Sequence, residues 1–328
     1  MVRCGVVALA ALALLGLAGA AAGQDFTPGV VFDVGGKFDK SFNEAAYTGA
    51  ERFKAETGIA YREFEITNES QREQAFANMA RRGVSIIAGV GFTQRSAVET
   101  VAKQFPETKF TIIDAVVDLP NVQSIVYREH EGSFLVGMLA AMASQTHKVG
   151  FVGGMDIPLI RKFALGYEEG VHHVDPKIEV LQNMTGTTPA AWMDPTRGAE
   201  LARSQFDRGV DVVFAAAGTT GLGVLQAAAD AGKLSIGVDS NQDHLHPGSV
   251  LTSMVKRVDV AVYLAFKTAK DGAWKPGLQV LGLSDGAIGY TIDQYNEKLI
   301  TPEMRAKLDA ARDDIIAGKI KVSDYMAK

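Results

Sequence analysis

From residue 28 onward the chain alternates short apolar runs with longer amphipathic ones. The first apolar run, Gly29–Val34, reads as a strand buried on both faces. The segment Ser41–Glu56 then has the 3.6-residue period of a helix, with Ser41 at the N-cap position and Glu44 three residues later, the spacing of a capping box. The same succession repeats through the next segments. Strands are expected at Tyr61–Ile66, Val84–Val90 and Lys109–Ala115, with helices at Gln71–Arg82 and Gln94–Phe105. Successive strand–helix units imply a parallel sheet covered by helices. Val122–Tyr127 reads as a strand with no long helix before it, and so marks a crossing. After it the alternation restarts, with helices at Gly132–Ser144, Leu159–Val174, Thr196–Arg208 and Leu222–Ala231. The strands between them are Val149–Gly154, Ile178–Gln182, Val210–Ala216 and Leu234–Asp239. Val250–Val255 and Gln279–Leu283 read as further strands, and Val258–Lys270 and Pro302–Ile316 as helices. Two open α/β sheets with several crossings between them are therefore expected.

The composition is that of a globular chain: 328 residues, 47% hydrophobic and 22% charged, a length that suits two lobes better than one core. The first 24 residues stand apart. Arg3, the apolar stretch Val6–Gly19 and the small residues Ala20–Gly23 have the layout of a cleaved secretory leader. The stretch is short for a membrane span, which needs about 20 residues. The single cysteine, Cys4, lies inside this leader. The mature chain is thus expected to have no disulfide, no thiol nucleophile and no cysteine metal site. No cysteine sits at the cleavage point, so a lipid anchor is not expected, and free diffusion in a periplasm is. Losing Arg3 leaves a net charge of −6 with no basic stripe, which disfavours nucleic acid as a partner.

In open parallel sheets, ligands bind beyond the carboxyl ends of the strands. The residues found there are Asp33, Gly91, Asp114, Gly153–Gly154, Gly218 and Asp239, all acids or glycines. Three carboxylates at separate strand ends need hydrogen-bond donors, and a neutral ligand rich in N–H and O–H groups would supply them.

Several segments resemble the basic membrane protein (BMP) family of ABC-importer binding proteins. They are Asp33-Val-Gly-Gly-Lys-Phe-Asp-Lys-Ser-Phe-Asn-Glu44, Phe110-Thr-Ile-Ile-Asp114, Gly153-Gly154 with Ile157-Pro158 and Phe163-Ala-Leu-Gly-Tyr167, and Asp194-Pro-Thr-Arg-Gly198. Ala217-Gly-Thr-Thr-Gly-Leu-Gly223, Ile236-Gly-Val-Asp239 and Ser253-Met-Val-Lys-Arg257 continue it in order. The resemblance implies a two-lobed type I periplasmic binding protein fold, each lobe a parallel sheet flanked by helices, with three hinge crossings near Tyr127, Val255 and Lys275–Gly277. The first lobe would comprise residues 25–126 and 256–276, the second 127–255 and 277–328. Characterised members bind purine nucleosides, and at least one relative binds a flavin. On that pattern Phe42 and Phe163 would sandwich a base, Asp114 would accept from base N–H groups, and Asp239 would accept from the ribose hydroxyls. Lys256 would donate to the ligand while pairing an acid, Asn43 and Gly218 would add polar and backbone contacts, and Asp33 would either touch the ligand or fix its loop. The implied protein is a monomeric, non-enzymatic receptor without cofactor, which delivers a nucleoside to an inner-membrane ABC permease.

Structural roles compete for these residues. Phe42 and Phe163 fit a helix core, Asp114 and Asp239 fit turns or caps, Lys256 fits a surface, Asn43 can bond local backbone, and Gly218 can serve a turn. Trp192 sits in a polar, Pro-rich loop where it either lines the cleft or packs against Pro195. Asp243, His244 and His246 lack a third metal ligand and fit a solvated loop. The glycines of Gly218–Gly223 depart from GxGxxG, and no GxSxG, P-loop or HExxH is present. An α/β enzyme acting on nucleosides and a ligand sensor remain the alternatives to transport.

Overall fold

The computed structural model describes Met1 and residues 26–327. The expected leader over residues 1–24, Met1 apart, lies outside the described residues. In chain order the first lobe contains β1 (Pro28–Phe32), α1 (Phe42–Thr57), β2 (Arg62–Glu65), α2 (Arg72–Arg81), β3 (Ile86–Gly89), α3 (Arg95–Gln104), β4 (Lys109–Ile113) and β5 (Val122–Tyr127). The second contains α4 (Glu129–Ala143), β6 (Lys148–Met155), α5 (Pro158–Val174), β7 (Glu179–Gly186), α6 (Pro195–Asp207), β8 (Val212–Ala216), α7 (Thr219–Asp230), β9 (Leu234–Asp239) and β10 (Val250–Lys256). The chain then returns to the first lobe with α8 (Val258–Lys270) and β11 (Gly277–Leu281), and ends in the second with β12 (Ile288–Tyr290) and α9 (Pro302–Ile316). The sheet orders are β11-β5-β4-β3-β1-β2 and β12-β10-β9-β8-β6-β7. All pairs are parallel except β10–β12.

The apolar runs form two-sided strands because successive side chains point to opposite faces. Val30 and Phe32 of β1 enter the large core cluster on one face of the first sheet, and Val31 enters a second cluster on the other. Val212 and Phe214 of β8 likewise face the large cluster, while Val213 and Ala215 face a third. The fold reading therefore holds at the level of lobes, sheets and helices. The short antiparallel β12 was not anticipated, since three residues are too few to show a period.

One boundary is corrected. β11 pairs in parallel with β5, Gly277 opposite Gln123 and Leu281 opposite Tyr127. The third crossing therefore follows Leu281 rather than lying at Lys275–Gly277, and residues 277–281 belong to the first lobe. Pro276-Gly277 looks like a point where a chain changes lobes. It is instead the turn that brings the strand alongside β5.

The three crossings are bonded to one another. Arg128 N–H donates to the Leu281 carbonyl (2.8 Å), Arg257 N–H to the Ala287 carbonyl (2.8 Å), and the Tyr127 hydroxyl to the Arg257 carbonyl (3.3 Å). No helix among the described residues is long and apolar enough to cross a membrane.

Candidate functional site

The carboxyl ends of both sets of strands face one interlobe cavity, with about 680 Å³ of atom-free space when its mouth is included. All nine residues singled out from the sequence line it: Asp33, Phe42, Asn43, Asp114, Phe163, Trp192, Gly218, Asp239 and Lys256. Convergence in space does not give them one role.

Lys256, at the end of β10, is 2% exposed. Its ammonium donates to Asp114 Oδ2 across the cleft (2.6 Å) and to Glu129 Oε1 at the start of α4 (2.9 Å). It lies 5.2 Å from the Phe42 ring centroid, 4.9 Å from that of Tyr127 and 5.8 Å from that of Phe163, so three aromatic faces add cation–π attraction. Burial alone would lower its pKa, but the carboxylates of Asp114, Glu129 and Asp239 outweigh that and raise it. Glu129 in turn accepts from Lys162 Nζ (2.9 Å), which also donates to the Tyr127 carbonyl (2.8 Å). Burial raises the Glu129 carboxyl less than the two ammoniums lower it, so its pKa falls below the usual value.

Asp114 and Asp239 are built alike. Both stand in the left-handed region, with φ of 66° and 65°. A short acid tolerates that conformation better than most residues, and it still carries strain of order 1–3 kcal/mol. Burial pushes each carboxyl up to about 6, against the opposing pull of Lys256. Asp114 Oδ1 is buried with no partner among the described residues, as is Thr219 Oγ1 on the same cavity wall. A buried unpaired carboxylate oxygen is costly, and a donor placed in the cavity would satisfy it.

Two of the nine are already engaged. Asp33 accepts from Arg72 Nη2 (3.3 Å), from the Thr93 hydroxyl and from the Val34 N–H (2.8 Å). Asn43 accepts from the Asp33 N–H (3.1 Å), and its amide nitrogen lies within reach of the Asp33 and Val34 carbonyls. These residues fix the loop after β1, which is the structural alternative for both. Trp192 is half-buried, contrary to the exposure its polar surroundings suggest. It packs against the first-lobe cluster from the second lobe. It fits because residue 154 is glycine: a Cβ there would lie 2.1 Å from Trp192 Cζ3. Gly218, with φ of 56°, sets the turn that starts α7 at the cavity wall.

The capping of α1 also differs from expectation. Ser41 makes no side-chain cap. Instead the Asp39 carboxylate accepts from the backbone N–H groups of Ser41, Asn43 and Glu44 (2.8, 3.0 and 3.0 Å). Glu129, Lys162 and Asp39 were missed in the sequence. Looking for acids just past strand ends would have found Glu129, two residues beyond β5. Nothing in the sequence flags Lys162, which acts through a neighbour distant in sequence. Asp243 is a structural hub, accepting from Ser253 Oγ (2.6 Å), Thr291 Oγ1 (2.6 Å) and Asn296 Nδ2 (2.9 Å).

Residues 26–325 match the family model described as ABC transporter substrate-binding protein PnrA-like. An ABC transporter nucleoside-binding protein from Lactococcus lactis is 30% identical over 321 residues, covering 91% of this chain and 89% of that one. An uncharacterised lipoprotein from Pyrococcus furiosus is 34% identical over 309 residues, covering 87% and 76%. The crystal structure of an ABC transporter solute-binding protein from Aeropyrum pernix superposes with a TM-score of 0.84 at 30% identity, covering 91% and 93%.

Proposed function

We propose that this chain, which belongs to the PnrA-like Bmp family of ABC transporter substrate-binding proteins, takes a nucleoside, and a purine nucleoside in particular, into the interlobe cavity. Substrate-binding proteins of this kind hold a small ligand and pair with a permease complex on the outer side of the membrane. The nucleoside assignment rests above all on one arrangement. Phe42 and Phe163, from opposite lobes, line the same cavity as Asp114, whose Oδ1 is buried without a donor. A base offers flat faces to the rings and N–H groups to the acid. Stacking on an aromatic contributes about 1–3 kcal/mol per base. Asp239, on the second-lobe wall of the same cavity, would accept from the sugar hydroxyls. The L. lactis relative named as nucleoside-binding supports the same reading. The protein is proposed to act as a monomer in the periplasm after loss of its leader, as a receptor rather than an enzyme.

Calorimetry against adenosine, guanosine, inosine, cytidine, uridine, riboflavin and ribose tests this. A purine nucleoside is expected to bind at micromolar Kd or tighter, about −8 kcal/mol, and to be recovered with its glycosidic bond intact. Ribose binding with no response to any nucleoside would overturn the assignment.

A further inference from the structure

Ser41 stands at the position where a helix cap is expected, yet Asp39 does the capping. The Ser41 side chain is thereby released, and it is fully buried. Its Oγ lies 2.9 Å from Asp239 Oδ2 and 3.2 Å from the Val238 carbonyl, both on the other lobe. The backbone beside it makes two more cross-lobe bonds. The Ser240 hydroxyl donates to the Ser41 carbonyl (2.7 Å), and Gln242 Nε2 donates to the Lys40 carbonyl (2.9 Å). Both ends of this contact are rigid. On the first lobe, Asp39 holds the turn, and Lys40 adopts a left-handed conformation (φ 60°). On the second, Gln242 is pinned through its Oε1 to the Val238 N–H (2.9 Å) and through its own N–H to Ser253 Oγ (2.9 Å).

We infer that Ser41 is a positioning residue for Asp239 and, through the same hydrogen bond, the clasp that joins the two lobes. This extends the reading above, in which Asp239 meets the ligand. The Ser41 hydroxyl occupies Asp239 Oδ2 and leaves Oδ1 as the oxygen turned to a ligand donor. Closure and the aim of Asp239 are then one event, because the bond exists only when Ser41 and Asp239 are brought together. The bonds are made directly between protein groups and involve no ligand atom. On this inference the free protein is expected to sample the closed arrangement as well, with a ligand deepening that minimum.

The test uses the full chain in a Cys4→Ser background, spin-labelled at the exposed positions Gln74 in α2 and Ser204 in α6 through introduced cysteines. Without added nucleoside, the wild type is expected to show a short-distance population. Ser41→Ala should lower the closed-to-open ratio by about tenfold or more, the fold-change that corresponds to losing a hydrogen bond to a charged group. Ser41→Thr, which keeps the hydroxyl, should restore it. Ser240→Ala removes a different bond of the same clasp and should shift the distances in the same direction. Identical distance distributions for wild type and both alanine variants, or a wild type that is wholly open, would overturn the inference. The distances are read without nucleoside, so failure of the nucleoside assignment in calorimetry would leave this result standing.

Discussion

Asp114→Asn separates what the cleft does for the ligand from what it does for the fold. Asparagine is nearly isosteric with aspartate and also tolerates the left-handed backbone found at this position (φ 66°), so the change is electrostatic. At pH 7.5 the wild-type carboxyl, raised by burial to about 6, is ionised. The substitution removes a negative charge that burial disfavours, and leaves Lys256 with its 2.9 Å bond to Glu129. Relief of desolvation and loss of the 2.6 Å bond to Lys256 oppose each other. Removing one partner of a buried ion pair costs about 3–5 kcal/mol when the other charge is left uncompensated. Lys256 keeps Glu129, and burial already disfavours the Asp114 charge, so the loss of unfolding stability should stay below about 3 kcal/mol. Binding should respond quite differently. A ligand N–H that bonded the carboxylate now meets a neutral amide, and a hydrogen bond to a charged group is worth about 1.5–3 kcal/mol. Nucleoside Kd should therefore rise roughly 10- to 150-fold. Urea denaturation measures the first quantity and calorimetry the second. Wild-type affinity in the variant would refute the role of Asp114 as ligand acceptor. A loss of several kcal/mol in stability would show that Asp114 serves the fold.

Four further outcomes are expected. Asp114 and Asp239 both sit near 6, above the ordinary carboxyl value. A donor ligand favours their ionised forms, so affinity should be full above pH 7 and weaken as pH falls through 6, in calorimetry across pH 5–8. For the unliganded fold the sign reverses: the folded state binds more protons than the unfolded one between about 4 and 6, so this pair lowers stability as pH rises through that window. Asp39→Ala strips the acceptor from three backbone N–H groups at the start of α1 and should cost about 1–2 kcal/mol in denaturation. Gly154→Ala places a Cβ against the Trp192 ring. It should displace the ring, red-shift tryptophan emission and weaken binding.

The lobes, sheets and helices were legible because the central strands face core on both sides, as Val30, Val31 and Phe32 do, and so read as unbroken apolar runs between amphipathic helices. Candidate site residues were legible for a related reason: a parallel sheet puts its functional groups at strand ends, and Asp114 and Asp239 are acids at such ends. What the sequence did not disclose was which partner each polar group takes. Asp33 and Asn43 look as well suited to a ligand as Asp114 does. The difference is Arg72 and Thr93 against Asp33, and the loop backbone against Asn43. The third crossing was misplaced because Pro276-Gly277 signals a turn, and a turn signal does not say which sheet the next strand joins.

The same limit explains Ser41, and there it bears on mechanism. Local spacing puts Ser41 at a helix cap with Glu44 three residues on. Asp39 satisfies the same backbone donors from outside the helix, so the local rule is met by a different residue. The serine is left to bond an acid nearly two hundred residues away. Two-lobed binding proteins need contacts strong enough to define a closed state and weak enough to release it. Among the described residues, the cross-lobe bonds at Lys40–Ser41 and the Asp114–Lys256 pair are both of this kind. The first is mostly neutral and can be exchanged for water at modest cost. The second leaves buried charge behind unless the lobes part far enough for solvent to reach Asp114. Opening is therefore expected to be wide rather than gradual. Glu129 and Lys256 lie beside the bonded crossings at Tyr127 and Arg257, about which such a motion is expected to turn.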